Sequence, residues 1–400
     1  MQKKMMILGA SALQVPAIKK AKELGYQIIL VDYDANAVGF PLADIKLVVS
    51  TLDQEEVYRQ ALIYKPDVVI TSTSDGPVRT AAYVNEKLGK QPDLSYEDSL
   101  CATIKNYMRD RLKENHLPIP EYYAVNNFNE FTEAVRKLEG CCIIKPADNA
   151  GSRGVVLLNG SSFPSNEQLL QAYEYSRENA RGGVVMVEEY MTGPEVSVEA
   201  MTVNGETTIV TITDKFITPP PYFVEIAHSE PSILDEKIKE QICQITKKAL
   251  KAIGLINAPS HTEIKVTKEG PKIVELAARL GGDFITSKLV PLSTGVDMVG
   301  NSVLLATGAN VDLTPTRQNG SAIHFIQGAE GILKNIVVDE EIYHLEGIEE
   351  VSLYKKPGDL THSIRSSNDR LGHIITTGKT ASEALERAKK ALSYIHIFYE

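Results

Sequence analysis

The first hundred residues alternate short apolar runs with helical patterns, and this alternation constrains the fold more than any other feature. Met5–Leu8, Ile28–Asp32 and Asp67–Thr71 read as strands, with Val15–Leu24 and Glu55–Tyr64 as helices between them. Strands joined through helices cannot close as hairpins, so they pair in parallel, and the predicted class is α/β. The turn after the first strand, Gly9-Ala10-Ser11-Ala12-Leu13-Gln14, sits where a dinucleotide fingerprint would, with Asp32 ending the next strand. Only the first glycine of G-x-G-x-x-G is present, so the backbone cannot close on a pyrophosphate. A scaffolding or substrate-binding lobe is expected over 1–98, and a nicotinamide-dependent oxidoreductase is disfavoured.

A chain of 400 residues exceeds one ordinary core and asks for two to four lobes. Residues 99–120 read as a helical connector, Ile104–Asn115, stopped by Leu117-Pro118-Ile119-Pro120. A buried strand follows at Gly140–Pro146, then strands at Val184–Glu189, Glu195–Val203 and Thr207–Thr213, and a hairpin over 258–276. Asp283–Leu289 opens a helix, with Asp283 as its N-cap. From about residue 311 strands alternate with the amphipathic helix Ser382–Ser393, a small α+β lobe. The expected domains are 1–98, 99–310 (two subdomains split near 183) and 311–400.

Composition removes several classes. A net charge of -10 and a pI near 5.5 exclude a nucleic-acid surface, which needs clustered Lys and Arg. Cys101, Cys141, Cys142 and Cys243 contain no CxxC and read as small buried hydrophobes. No apolar stretch is long enough for a membrane span. The opening Met-Gln-Lys-Lys-Met-Met-Ile-Leu enters a strand without a secretory core, so the expected compartment is cytoplasmic, with no membrane partner.

Four segments carry candidate chemistry. Lys145-Pro146 is followed by Asn149-Ala150-Gly151-Ser152-Arg153-Gly154, a strand-end cation beside a loop whose small residues let amides close over phosphate oxygens. Val184–Glu189 runs into Tyr190-Met191, Gly193 and Glu195, a strand leading to a polar hinge that can offer backbone groups to an adenine edge and a carboxylate to ribose hydroxyls. In the hairpin, a three-residue loop Lys268-Glu269-Gly270 would place Glu263 opposite Glu275, with Cβ atoms about 5 Å apart. Two facing carboxylates repel unless a cation lies between them, and magnesium bridged to ATP phosphates suits that place. Arg279 comes one short loop later, and Gly281-Gly282 precede a helix N-terminus that can face an anion.

In this order and spacing the segments resemble the ATP-grasp superfamily, and within it the carboxylate–amine ligases related to L-amino acid ligases. The likeness is strongest over about 100–310. It implies a Rossmann-like pre-grasp domain, a grasp domain of two subdomains clasping ATP, and a C-terminal lobe. It further implies that Lys105 and Lys145 hold ATP phosphates, and that Ser152, Arg153 and Gly154 close over the triphosphate. Glu188, Glu189, Tyr190 and Met191 would border adenine, and Glu195 the ribose. Glu263 and Glu275 would hold two magnesium ions, replaceable by manganese, and Arg279 would stabilise the transferring phosphoryl group. Residues 214–228 resemble the substrate-facing loop of those ligases. There Tyr222 and Phe223 offer an apolar wall, and His228 would bind a substrate carboxylate or orient the amine; Gly281 and Gly282 complete the substrate site. Many relatives carry E-x-N-x-R with a metal-touching asparagine, where this chain reads Glu275-Leu276-Ala277-Ala278-Arg279.

The expected partners are a small-molecule carboxylate and an amine, with a homodimer as the family's habit. Two rivals keep the fold: an enzyme of purine or carboxylation type, and a nucleotide-binding regulatory protein without catalysis. Leu280–Ile285 lacks the charged, His-containing segment that follows the arginine in biotin carboxylases, which disfavours the first. The intact Glu263, Glu275 and Arg279 set disfavours the second.

Overall fold

The computed structural model describes residues 2–90, 94–151, 153–160 and 162–400. The N-terminal strands form a parallel four-stranded sheet in the order Ile45–Val48, Gln27–Asp32, Lys4–Leu8, Val68–Thr71. Met5 pairs with Ile28 on one side and Val68 on the other. Helices cover both faces, so the central strand has no wet side: Met5, Met6, Ile7 and Leu8 are all fully buried. The carboxylate of Asp32 turns inward and accepts from the Ala10 amide at 2.7 Å.

A second sheet, antiparallel, runs Tyr122–Val125, Val185–Glu189, Cys141–Pro146, Val156–Asn159. The helices Phe128–Lys137 and Asn166–Glu178 flank it, and Phe131, Leu169, Tyr173 and Ile144 share one core. The helix Asn166–Glu178 begins at a capping box in which Ser165 and Gln168 satisfy each other's amides.

The third sheet has eight strands: Gly270–Ala277, Ala258–Thr267, Glu195–Val203, Glu206–Ile217, Glu225–Glu230, Gly320–Ile326, Gly372–Gly378 and Ile348–Leu353. Its last three strands lie beyond residue 311. Where the sequence predicts a lobe packed on the grasp region, the backbone ladder runs straight through: Ala227 pairs with His324 and His324 with Ile374. A strand edge left open at Glu225–Glu230 would carry unpaired N–H and C=O groups, and the C-terminal strands close it. A small sheet of Leu360–Thr361, Gly331–Val338 and Ile395–Tyr399 completes the chain. No single helix among the described residues is long and apolar enough to cross a membrane.

Two local expectations are corrected. The hairpin turn has two residues, Lys268 and Glu269, because Thr267 pairs with Gly270. A β-bulge at Val274 then shifts the register, so that Ile264 faces Ile273 while Glu263 still faces Glu275. The acidic pair therefore owes its alignment to the bulge and not to a longer loop. Asp283 is not an N-cap: it and Phe284 are both left-handed, at φ 50° and 62°, ahead of a π-helical turn Ile285–Leu289. Its carboxylate is held instead by the fork of Arg370, at 2.8 and 2.9 Å, which binds more strongly than a neutral amide.

Candidate active site

A cavity of about 220 Å³ lies between the two antiparallel sheets and the N-terminal lobe. Lys145 enters it from the end of Cys141–Pro146, where it pairs with Met186 of the neighbouring strand. Lys105 enters from the first turn of Lys105–Glu114, and its ammonium bridges the Asn149 carbonyl (2.8 Å) and Glu275 (2.9 Å). Ala150, Gly151 and Arg153 also line the space. Ser152 lies outside the described residues.

Beneath Lys145 sits Glu188, buried with its carboxylate 2.7 Å from the Lys145 ammonium and forked onto Arg109 at 2.9 and 3.0 Å. Burial alone would raise this carboxylate's pKa, but the two cations outweigh it and hold it at about 2. Burial shifts Lys145 the other way, downward, with Glu188 only partly restoring it. Glu189 is the last ladder residue of its strand and pairs with Lys272 at 3.1 Å; beyond it Tyr190 and Met191 line the cavity, with Phe223 6.3 Å from the Tyr190 ring.

Cross-strand registry explains the charged floor. Lys215, Glu195 and Lys265 stand side by side on three neighbouring strands, and one row away come Glu263 and Ser197. Opposite charges in such a row attract. The Lys215 ammonium lies 2.6 Å from Glu263, 2.9 Å from Glu195 and 3.7 Å from Glu225. Burial opposes ionisation of Glu263, yet Lys215 and His261 keep it ionised and well below the usual carboxylate range. His261 donates through Nδ1 to the Glu199 carboxylate, 2.7 Å away, with Nε2 3.5 Å from Glu263. Arg279, at the far end of the hairpin, is forked onto Asp75 at 2.8 and 3.1 Å, and Asp75 belongs to the N-terminal lobe.

The facing pair Glu263 and Glu275 offers hard oxygen donors, each now neutralised by a lysine, Lys215 and Lys105 respectively. Ala277 lines the same cavity and adds no donor, and the described residues contain no ready cluster of three or more metal-ligating groups. Two carboxylates and no protein cage is the donor set that suits magnesium carried in on substrate phosphates.

Of the residues singled out from sequence, Lys105, Lys145, Arg153, Glu188, Glu189, Tyr190, Met191, Glu195, Phe223, Glu263, Glu275 and Arg279 line this one cavity. Others stand away from it. His228 is buried beside it, 3.3 Å from Asp283 and edge-on to Phe325, while Tyr222 is exposed to solvent. Gly154 packs its backbone on Pro146 and Asn179. Gly281 covers the Glu199–His261 pair, and Gly282 lies beside Leu13. Sequence reasoning missed Asp75, Arg109 and His261, and it placed Lys215 and Glu225 in a substrate-facing loop where the structure has them on the paired strands Glu206–Ile217 and Glu225–Glu230. His261 was within reach, since side chains two apart on a strand share a face and His261, Glu263 and Lys265 alternate. Asp75 offers no such local signal.

Residues 138–287 match the ATP-grasp domain family, and residues 323–400 match the L-amino acid ligase C-terminal domain 2 family. The alanine–anticapsin ligase of Bacillus subtilis (strain 168) is 28% identical over 246 residues, covering 57% of this chain and 51% of that protein. The L-arginine-specific L-amino acid ligase of Bacillus subtilis is 23% identical over 333 residues, covering 82% and 80%. This chain thus spans about half the length of the first of these relatives. Among solved structures, an L-amino acid ligase from Bacillus licheniformis superposes with a TM-score of 0.83 at 20% identity, each chain covered completely, which shows a common fold.

Proposed function

With an ATP-grasp domain over 138–287 and an L-amino acid ligase C-terminal domain over 323–400 as the premise, we propose that this chain is an ADP-forming carboxylate–amine ligase with an amino acid as one substrate. The observation that carries the proposal is the convergence, on one cavity, of two phosphate-type lysines, a facing pair of acids and Arg279. The C-terminal domain favours the amino-acid branch over the purine or carboxylation branch.

The substrate carboxylate oxygen attacks the γ-phosphorus of ATP. The bond to the β–γ bridging oxygen breaks, and ADP departs with its electron pair. Lys105 and Lys145 neutralise the triphosphate, and Arg279, oriented by Asp75, faces the charge that spreads over the transferring group. Magnesium bound at Glu263 and Glu275, as one or two ions, would supply Lewis-acid charge neutralisation there. The amine nitrogen then attacks the acyl carbon, inorganic phosphate leaves, and the nitrogen loses a proton to give the amide. Ala150, Gly151 and Arg153 line the cavity where water must be kept from the acyl phosphate. No nucleophilic side chain is needed, and the cysteines lie outside the cavity lining.

The test is ADP release across a matrix of amino-acid pairs, with hydroxylamine added to trap the acyl phosphate as a hydroxamate. Nucleotide binding without ADP release for any pair would leave the regulatory-protein rival standing.

A further inference from the structure

We infer that Arg109 is a positioning residue that sets both halves of the nucleotide site at once, the phosphate lysine and the acidic pair. The inference rests on the ligase reading of the cavity, and it begins with the helix Lys105–Glu114, where Arg109 lies one turn after Lys105 on the same face. Its side chain is wholly excluded from solvent, and each terminal contact has a specific job. Nε and Nη2 fork onto Glu188, whose other contact is the Lys145 ammonium. Nη1 donates to the Ile273 carbonyl at 3.0 Å, and Nη2 to the Val274 carbonyl at 2.7 Å.

Those two carbonyls belong to consecutive residues. In a regular strand consecutive carbonyls point in opposite directions, so one donor group cannot serve both. Here it does because Val274 is the bulged residue. The bulge is what brings Glu275 opposite Glu263: one residue out of register, the Glu275 side chain would leave the face that Glu263 shares. A planar guanidinium, with five donors in a rigid fork, can hold a carboxylate and two bulge carbonyls together. A lysine cannot. Arg109 thus fixes the place of Lys145 through Glu188, and the register of Glu275 through the bulge.

Three proteins separate these two arms: wild type, Arg109→Lys and Glu188→Gln. For each, affinity for a non-hydrolysable ATP analogue, the Mg²⁺ concentration giving half-maximal ADP release, and deuterium uptake of the 271–277 peptide in the ligand-free protein are measured. Glu188→Gln removes the charge that holds Lys145 but leaves Arg109's two donations to the bulge carbonyls in place. It should weaken analogue binding about tenfold and leave Mg²⁺ dependence and hairpin exchange at wild-type values. Arg109→Lys should weaken analogue binding similarly, raise the Mg²⁺ requirement about tenfold or more, and speed exchange at the bulge about tenfold. If Arg109→Lys does not fold, Arg109→Gln replaces it, because its loss leaves Glu188 and Lys145 as a neutral pair. Wild-type Mg²⁺ dependence and hairpin exchange in a folded Arg109 variant, or the same profile from Glu188→Gln, would overturn the inference. A wild-type protein that binds no Mg-ATP would instead remove the ligase reading, and the inference with it.

Discussion

Glu188→Gln probes how much a buried charge network contributes to the fold that carries the site. The side chain keeps its shape but loses the charge shared by Arg109 and Lys145, leaving two buried cations facing a neutral amide. The carboxyl is held at about 2 against an ordinary 4.5. At 1.36 kcal/mol per unit the substitution should cost about 3 kcal/mol at neutral pH, similar to breaking other buried ion pairs. The pH dependence has a definite sign. A carboxylate with a depressed folded pKa contributes its stability above the unfolded value, and that contribution fades as pH falls from about 4.5 towards 2. The chain contains no tryptophan, so urea unfolding is best followed by far-UV circular dichroism. Wild type and variant should differ by about 3 kcal/mol at pH 7 and converge as the buffer is acidified below pH 4.5. A difference under about 1 kcal/mol at pH 7, or one that does not narrow with acid, would refute the electrostatic reasoning.

Glu275→Ala removes half of the acidic pair and the partner of Lys105, and should reduce ADP formation about a thousandfold or more; near wild-type rates in a coupled assay would contradict the role of the pair. Asp75→Asn leaves Arg279 in place without its bidentate carboxylate, and should lower kcat/KM about a hundredfold with little change in thermal midpoint, as read by steady-state kinetics. In Gly281→Ala the new methyl would sit 2.6 Å from Glu199 and 2.8 Å from His261, so a loss of about 1–3 kcal/mol is expected in urea unfolding. In Gly193→Ala the methyl would lie 2.0 Å from the Val266 carbonyl at a φ of +129°, where neither backbone can yield, and the soluble yield should fall sharply.

Much of this could be read from local pattern. The parallel lobe, the strand delivering Lys145 and the hairpin bearing Glu263 and Glu275 follow from apolar periodicity and turn residues, which act over a few positions. The hairpin also shows the limit of such reading. The expected acidic pairing is present, but through a two-residue turn and a bulge, and bulges depend on what grips them from outside. Asp283 shows the same limit: its position invites a cap, yet Arg370, 87 residues on, takes its carboxylate.

The sequence by itself determined which residue types were available and which elements would present them. Cations end a strand and begin a helix, acids face each other in a hairpin, and the first turn lacks the glycines a dinucleotide needs. Only the tertiary structure decided which charges meet. Arg109 reaches Glu188 across 79 residues and Ile273 across 164, and Arg279 reaches Asp75 across 204. Burial lowers the local dielectric and makes each of these meetings matter, and burial belongs to the assembled sheets, not to any segment of chain.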